Sequence, residues 1–226
     1  MTKPQMFDAE ALIGVFESAT ARQGEQLRRA TTEATLAALQ GRELSLKNIR
    51  STLKAVAEAA SAGAAKNLGP GIDPEELLDK AVAGIDDALL KAVEANRMAL
   101  SSFQAQGADL RDKHLAKALA DLDKMEDTMF DALKKAAAGA GSPMAGPWTQ
   151  VLEKMQAGGT ASGTQAALTA EQMAAQFQNA VRSTRAASMR AAQAMAENYA
   201  AMASSVLIGM QEALQTVAAK KPGKKS

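Results

Sequence analysis

Apolar residues recur every three or four positions along most of the chain, the spacing of a helix that buries one face. The first such seam runs Leu12, Val15, Ala19, Gln23, Leu27, Ala30 and Ala34, behind Asp8 as N-cap and Glu10 in the first turn. It predicts a helix near 8–40, stopped at Gly41 and weakened by Gly14 and Gly24, each by about 1 kcal/mol relative to Ala. A second helix is expected over 44–67, with Leu46, Ile49, Leu53, Val56, Ala60 and Ala64 on one side. It ends in Leu-Gly-Pro-Gly-Ile-Asp-Pro, whose glycines and prolines force a turn.

Asp73-Pro74-Glu75-Glu76 is the strongest start signal: a capping Asp, Pro at the first helical position, and two acids at the positive end of the helix dipole. From Leu78 the seam passes Val82, Ile85, Leu89, Val93, Asn96, Leu100, Phe103, Gly107, Leu110, His114, Ala118, Leu122, Met125, Met129 and Leu133 to Ala136. Its step of about 3.6 residues matches a straight helix rather than a left-handed coiled coil. The segment either runs unbroken or bends near Gln106-Gly107-Ala108-Asp109, giving helices near 73–106 and 108–138. From 143 to 168 small residues, Gly, Ser and Pro dominate, and a linker holding a short helix at 148–156 is expected, with a boundary near 142.

Thr169 with Gln172 forms a capping-box pattern at the head of a long final helix, 169–219. Its seam is Met173, Phe177, Val181, Thr184, Ser188, Ala191, Met195, Tyr199, Met202, Val206, Met210, Leu214 and Val217. At 1.5 Å per residue such a helix spans roughly 75 Å, more than a compact core needs. It asks for another long helix, a second copy or an extended surface. The tail, Lys-Lys-Pro-Gly-Lys-Lys-Ser at 220–226, is expected to be basic and disordered. The fold class is all-α: long amphipathic helices in an extended antiparallel bundle, with no sheet.

Composition sharpens this picture. Aromatics are 3% of residues, so buried area comes from Ala, Leu and Met, which are strong helix formers. Cysteine is absent, which excludes disulfides and thiol chemistry and fits a cytoplasmic home. The first residues, MTKPQMFDAEAL, carry no signal-peptide pattern. The longest uncharged run of the final helix, Asn198 to Gln211, is 14 residues, against the roughly 20 a transmembrane span requires. The net charge of +1 hides a gradient: +2 over 1–72, −5 over 73–142 and +4 over 143–226. No specific nucleic-acid partner is indicated.

Candidate chemistry is sparse. His114 is the only histidine and has no Glu-x-x-His partner set, so no metal site is expected. Asp121, Asp123, Glu126, Asp127 and Asp131 lack calcium-loop spacing and sit among Lys117, Lys124, Lys134 and Lys135, as a solvated face would. Lys47, Arg50 and Lys54 form a basic strip that a solvated helix face also accounts for. No phosphate loop or catalytic elbow occurs. Neither catalytic residues nor a cofactor are therefore expected, and the chain reads as non-enzymatic. The candidate partner-binding residues are Met173, Phe177, Val181, Met195, Tyr199, Met202, Val206, Met210 and Leu214, where flexible Met suits either an adaptable surface or a loosely packed core.

The Ala/Gln/Met-rich stretch MAAQFQNAVRSTRAASMRAAQAMAENYAAMASSVLIGMQEAL, the absence of Cys and the tail AAKKPGKKS resemble the phasins, bacterial proteins that coat polyhydroxyalkanoate granules. The likeness covers roughly the last 60 residues, and the acidic segment 73–135 is not part of that family's pattern. The resemblance implies an amphipathic helix lying on an apolar polymer or lipid surface, with Met, Val, Leu, Phe and Tyr facing in, and a granule-associated location. The alternative is a cytoplasmic scaffold whose helices self-associate as a homo-oligomer, close approach being allowed by Ala191, Ala194 and Ala201. A nucleic-acid-associated protein using Arg182, Arg185, Arg190 and the lysine tail ranks behind both.

Overall fold

The computed structural model describes residues 8–20, 23–40, 45–105, 113–183, 202 and 204–211, side chains at 103–105, 113–115 and 176–183 excepted. The architecture is all-α, and no strand occurs among the described residues. In chain order the helices are α1 (Ala9–Glu17), α2 (Gly24–Leu39), α3 (Leu46–Lys66), α4 (Pro74–Ala105), α5 (Lys113–Asp123), α6 (Met125–Gly139), α7 (Ser142–Gly158) and α8 (Ala161–Ser183), with a further helical stretch at 204–211.

The expected single helix over 8–40 is two. Asp8 caps α1 as foreseen, its carboxylate accepting from the Ala11 amide at 3.0 Å. α1 then stops because the Asn67 side-chain amide, at the far end of α3, donates to the carbonyls of Phe16 and Ala19. That captures the end of the helix with a residue about fifty positions away. Phe16, fully buried, takes the core place expected of Val15, which is largely exposed.

α3 begins at its cap Ser45 and buries Ile49, Leu53, Val56, Ala60 and Ala64, the foreseen seam, although Leu46 is only half-buried. α4 starts at Pro74, with the Asp73 carboxylate accepting from the Glu75 amide at 2.9 Å. It buries far more than one stripe: Leu77, Leu78, Ala81, Ile85, Ala88, Leu89, Ala92, Val93, Ala95, Asn96, Ala99 and Leu100. The reason is its position, since α2, α3, α7 and α8 all pack against it. The expected helix over 108–138 is interrupted by a one-residue turn at Lys124, across which Leu122, Met125, Met129 and Leu133 keep their helical spacing in the core. The expected bend at 106–109 lies outside the described residues.

Two crossings depend on glycine. A Cβ at Gly84 of α4 would fall on the Arg28 carbonyl and the Thr31 side chain of α2, and one at Gly63 of α3 on the backbone of Ile13 in α1. The α2 face that reaches Gly84 is unusually polar, with Thr31, Thr32 and Thr35 all buried. Their hydroxyls donate to carbonyls four residues back in α2, and Thr32 also reaches the Gly84 carbonyl at 3.1 Å. Buried hydroxyls with partners carry little penalty. Arg28 seals the edge of this crossing with a two-pronged pair to Asp87, at 2.6 and 2.8 Å, and that hydrogen bond holds the guanidinium above its ordinary value.

Gly84→Ala should therefore destabilise by about 1–3 kcal/mol, the usual cost of overpacking. Gly14→Ala, with open space at its Cβ in α1, should stabilise by about 0.5–1 kcal/mol. Opposite shifts of the urea midpoint would bear this out, and a neutral Gly84→Ala would refute the close crossing.

Candidate functional site

The residues singled out for partner binding fall into three groups. Met173 is in the core, 2% exposed. Met202, Val206 and Met210 are half-buried, with Val206 touching the edge of the core. Phe177 and Val181 belong to the helical backbone of α8, but their side chains, like Met195, Tyr199 and Leu214 entirely, lie outside the described residues.

The helix that leads into this region is α7, and here the expected linker over 143–168 gives way to two helices joined at Gly159–Thr160. α7 runs unbroken from Ser142 to Gly158 despite Pro147, which falls within its first two turns. Met144, Trp148, Val151 and Met155 form its buried stripe. The Trp148 indole N–H donates to the Ser61 hydroxyl of α3 at 2.8 Å, giving the one polar atom of that ring a partner. Burial of four large side chains outweighs the weak helix preference of the Gly, Ser and Pro around them. Their 4-3-4 spacing was the signal available in the sequence. On its outer side α7 is tied to α4 by Lys154, whose ammonium donates to Glu75 and, at 2.9 Å, to Asp79.

α8 begins at Ala161, eight residues before the expected start, and Thr169 is a fully buried mid-helix residue rather than a cap. The cap is Thr160, whose hydroxyl accepts from the Gly163 amide at 2.9 Å. Two carboxylates from other helices complete it. Asp86 of α4 accepts from the amides of Ala161 and Ser162, both at 3.0 Å. Glu126 of α6 accepts from the amide and the hydroxyl of Thr160, at 2.7 and 2.9 Å. Negative charge at a helix N-terminus meets both the unpaired amides and the dipole. Neither acid is close to α8 in sequence, so a local capping rule could not find them.

Over 161–175 the buried side chains of α8 are Ser162, Ala166, Thr169 and Met173. Over 202–211 the buried positions are Ser204, Leu207 and Gln211, while Ile208 is 41% exposed. At 100° per residue the Ser204–Leu207–Gln211 side lies roughly 130° around the helix from Met202, Val206 and Met210. The apolar seam of this stretch is thus turned towards its flank.

Among the described residues no three His, Cys, Asp or Glu side chains converge as metal ligands. Glu126 is engaged at α8 and Asp131 pairs with Arg50 of α3, while Asp121 pairs with Lys117 of its own helix. The side chain of His114 lies outside the described residues. A cleft between Thr20, Leu27, Ile72, Leu77 and Lys80 has room for about one water molecule. Among the described residues no helix is long and apolar enough to cross a membrane.

Residues 2–216 match a family described as a family of unknown function, DUF6781. The chain belongs to that family. No curated protein and no solved structure matches it. The matched span takes in α1 to α8 and the stretch 204–211, so the acidic middle and the Ala/Met-rich end fall within one family pattern. The lysines at 220–225 fall outside it.

Removing the cap by Thr160→Ala should cost about 1–2 kcal/mol, read as a lower urea midpoint, with amide exchange accelerated first in the opening turn of α8. A change confined to α7 would contradict the assignment. The Lys154 contact has its own pH signature. The hydrogen bonds it donates to Glu75 and Asp79 raise its pKa above the ordinary 10.5. A raised base contributes its full stabilisation below the ordinary value and loses it only as pH climbs through the raised one. Exchange in α7 should therefore stay unchanged by this contact up to pH 10.5, whereas Lys154→Met removes the contact at neutral pH. The effect on overall stability should be small, because the ammonium is solvent-exposed.

Proposed function

We propose that this protein is a non-enzymatic coat protein that binds an apolar polyester or lipid-granule surface through the seam of its C-terminal helical region, in the manner of the phasins it resembles. The observation that carries this reading is the mismatch of sides over 202–211. Polar Ser204 and Gln211 share the buried side with Leu207, while Met202, Val206 and Met210 remain half-buried and Ile208 is exposed. A helix that served only its own core would gain by turning the methionines inward, since each large apolar side chain fully buried is worth about 1.5–3 kcal/mol. Flexible methionines at a part-exposed seam suit an irregular apolar surface.

The charge pattern supports the same partner. Thr169 to Ala219 carries six charged side chains, Glu171, Arg182, Arg185, Arg190, Glu197 and Glu212. A neutral surface requires no basic attraction, so sparse charge is no handicap there. Four lysines at 220–225 would face water and help to keep coated particles apart.

Full-length protein should partition onto polyhydroxybutyrate particles or triacylglycerol droplets and stay there at about 0.5 M salt, where exposed charges are screened. Met202→Gln, Val206→Ser and Met210→Gln together should weaken that partition at least about tenfold. A chain that remains in the aqueous phase sinks the proposal. If light scattering then shows a stable oligomer, the half-buried seam serves self-association instead.

A further inference from the structure

α7 and α8 are consecutive helices attached to the same body by different means. α7 is held by Met144, Trp148, Val151 and Met155, with the polar atom of the indole satisfied. α8 presents Ser162, Ala166, Thr169 and Met173. Two of those four side chains are buried hydroxyls, Ser162 Oγ and Thr169 Oγ1, with no hydrogen-bond partner. Each is a cost of docking that water removes once the helix lifts off. Among the described residues, the charge-assisted bonds that hold it lie at its first turn, where Thr160, Ala161 and Ser162 donate to Glu126 and Asp86. Both acids are only half-buried, so water can reach this junction and compete for it. Between the two helices lies a short turn, in which Gly159 has a positive φ of 67°.

We infer that docked α8 is the closed state of the surface-binding helix, latched to the bundle by Asp86 and Glu126, and that engaging an apolar surface requires its release about the Gly159–Thr160 turn. This rests on the surface-binding reading above. Met173, the first residue of the proposed seam, is buried against the protein's own core, so the same side chain cannot meet a droplet while α8 is docked. A latch of charge-assisted hydrogen bonds over a poorly satisfied face makes α8 the element that leaves while α7 remains. The free protein then keeps part of its apolar seam covered, which limits clumping before a surface is met.

Gly163 supplies a sharp variant. A Cβ there would occupy the place of the Glu126 side chain. Ala is a better helix former than Gly, so Gly163→Ala strengthens α8 as a helix while evicting the Glu126 half of its latch. The test compares the full-length chain with Asp86→Ala/Glu126→Ala and with Gly163→Ala, by hydrogen exchange and by uptake onto polyhydroxybutyrate particles. Exchange across 161–173 should quicken about tenfold or more in both variants, with α3 and α4 unchanged. Uptake should rise in similar proportion, because apparent affinity scales with the fraction of chains already open. Unchanged exchange across 161–173 overturns the latch, even where the unaltered protein takes up particles normally. Faster exchange with no gain in uptake, where the unaltered protein does bind, overturns release as the limiting step. If exchange responds but no form binds particles, the surface reading has failed and the inference falls with it. Should the double variant unfold throughout, Gly163→Ala decides alone.

Discussion

The bundle depends on α4 being packed on most of its circumference. Such a helix has only narrow edges on which to carry charge, and a carboxylate there lies beside whichever helix borders that edge. The acidic side chains of α4 are accordingly shared out among its neighbours. Asp87 meets Arg28 of α2, Glu75 and Asp79 meet Lys154 of α7, and Asp86 meets the opening amides of α8. The apolar side of the same helix is largely alanine, with Ala81, Ala88, Ala92, Ala95 and Ala99 buried, and Gly84 at the tightest crossing. Small residues bring backbones close, and that closeness puts short carboxylates within reach of neighbouring donors. The net charge of −5 over 73–142 is thus in good part the chemistry of internal docking.

From that seat the attachments differ in kind. α2 and α3 are tied in by continuous apolar burial, and α2 adds hydroxyls bonded within its own backbone. α7 rests on one buried indole and three large neighbours. Over 161–175, α8 buries Ser162, Ala166, Thr169 and Met173, leaves two of those hydroxyls unmet and has a polar first turn. The kind of attachment changes towards the part of the chain whose composition departs furthest from an ordinary core. A difference of this sort lets one end of a molecule respond to a surface while the rest stays folded, since local opening free energies follow local burial.

Much of the framework was legible because it is written in local signals. The Asp73-Pro74 start, the Asp8 cap and the Ile49–Ala64 stripe need only neighbours within a turn or two. The misreadings have physical causes. Helix α1 is ended by Asn67, α8 is begun by Asp86 and Glu126, and α7 is made helical by a Trp whose polar partner is Ser61. For α1 and α8 the deciding group lies dozens of residues away, where no local pattern can show it, and for α7 the local 4-3-4 spacing was masked by the Gly, Ser and Pro around it. The capping box at Thr169 was a true local motif overruled by a better-supplied cap at Thr160. The same limit applied to the candidate site: spacing identified an apolar seam, but not that Met173 would be buried while Met202, Val206 and Met210 stayed at the edge.

By itself, then, the sequence determined that the chain is helical, where most helices lie, and that it carries no cysteine chemistry. Those properties follow from periodicity, propensity and composition, which act over a few residues. Only the tertiary structure decided that α4 is the shared seat of the bundle, how α7 and α8 dock on either side of the Gly159–Thr160 turn, and that α8 is held by carboxylates at its first turn. These outcomes turn on which groups meet across space, and burial makes such meetings worth more than the local preferences they override.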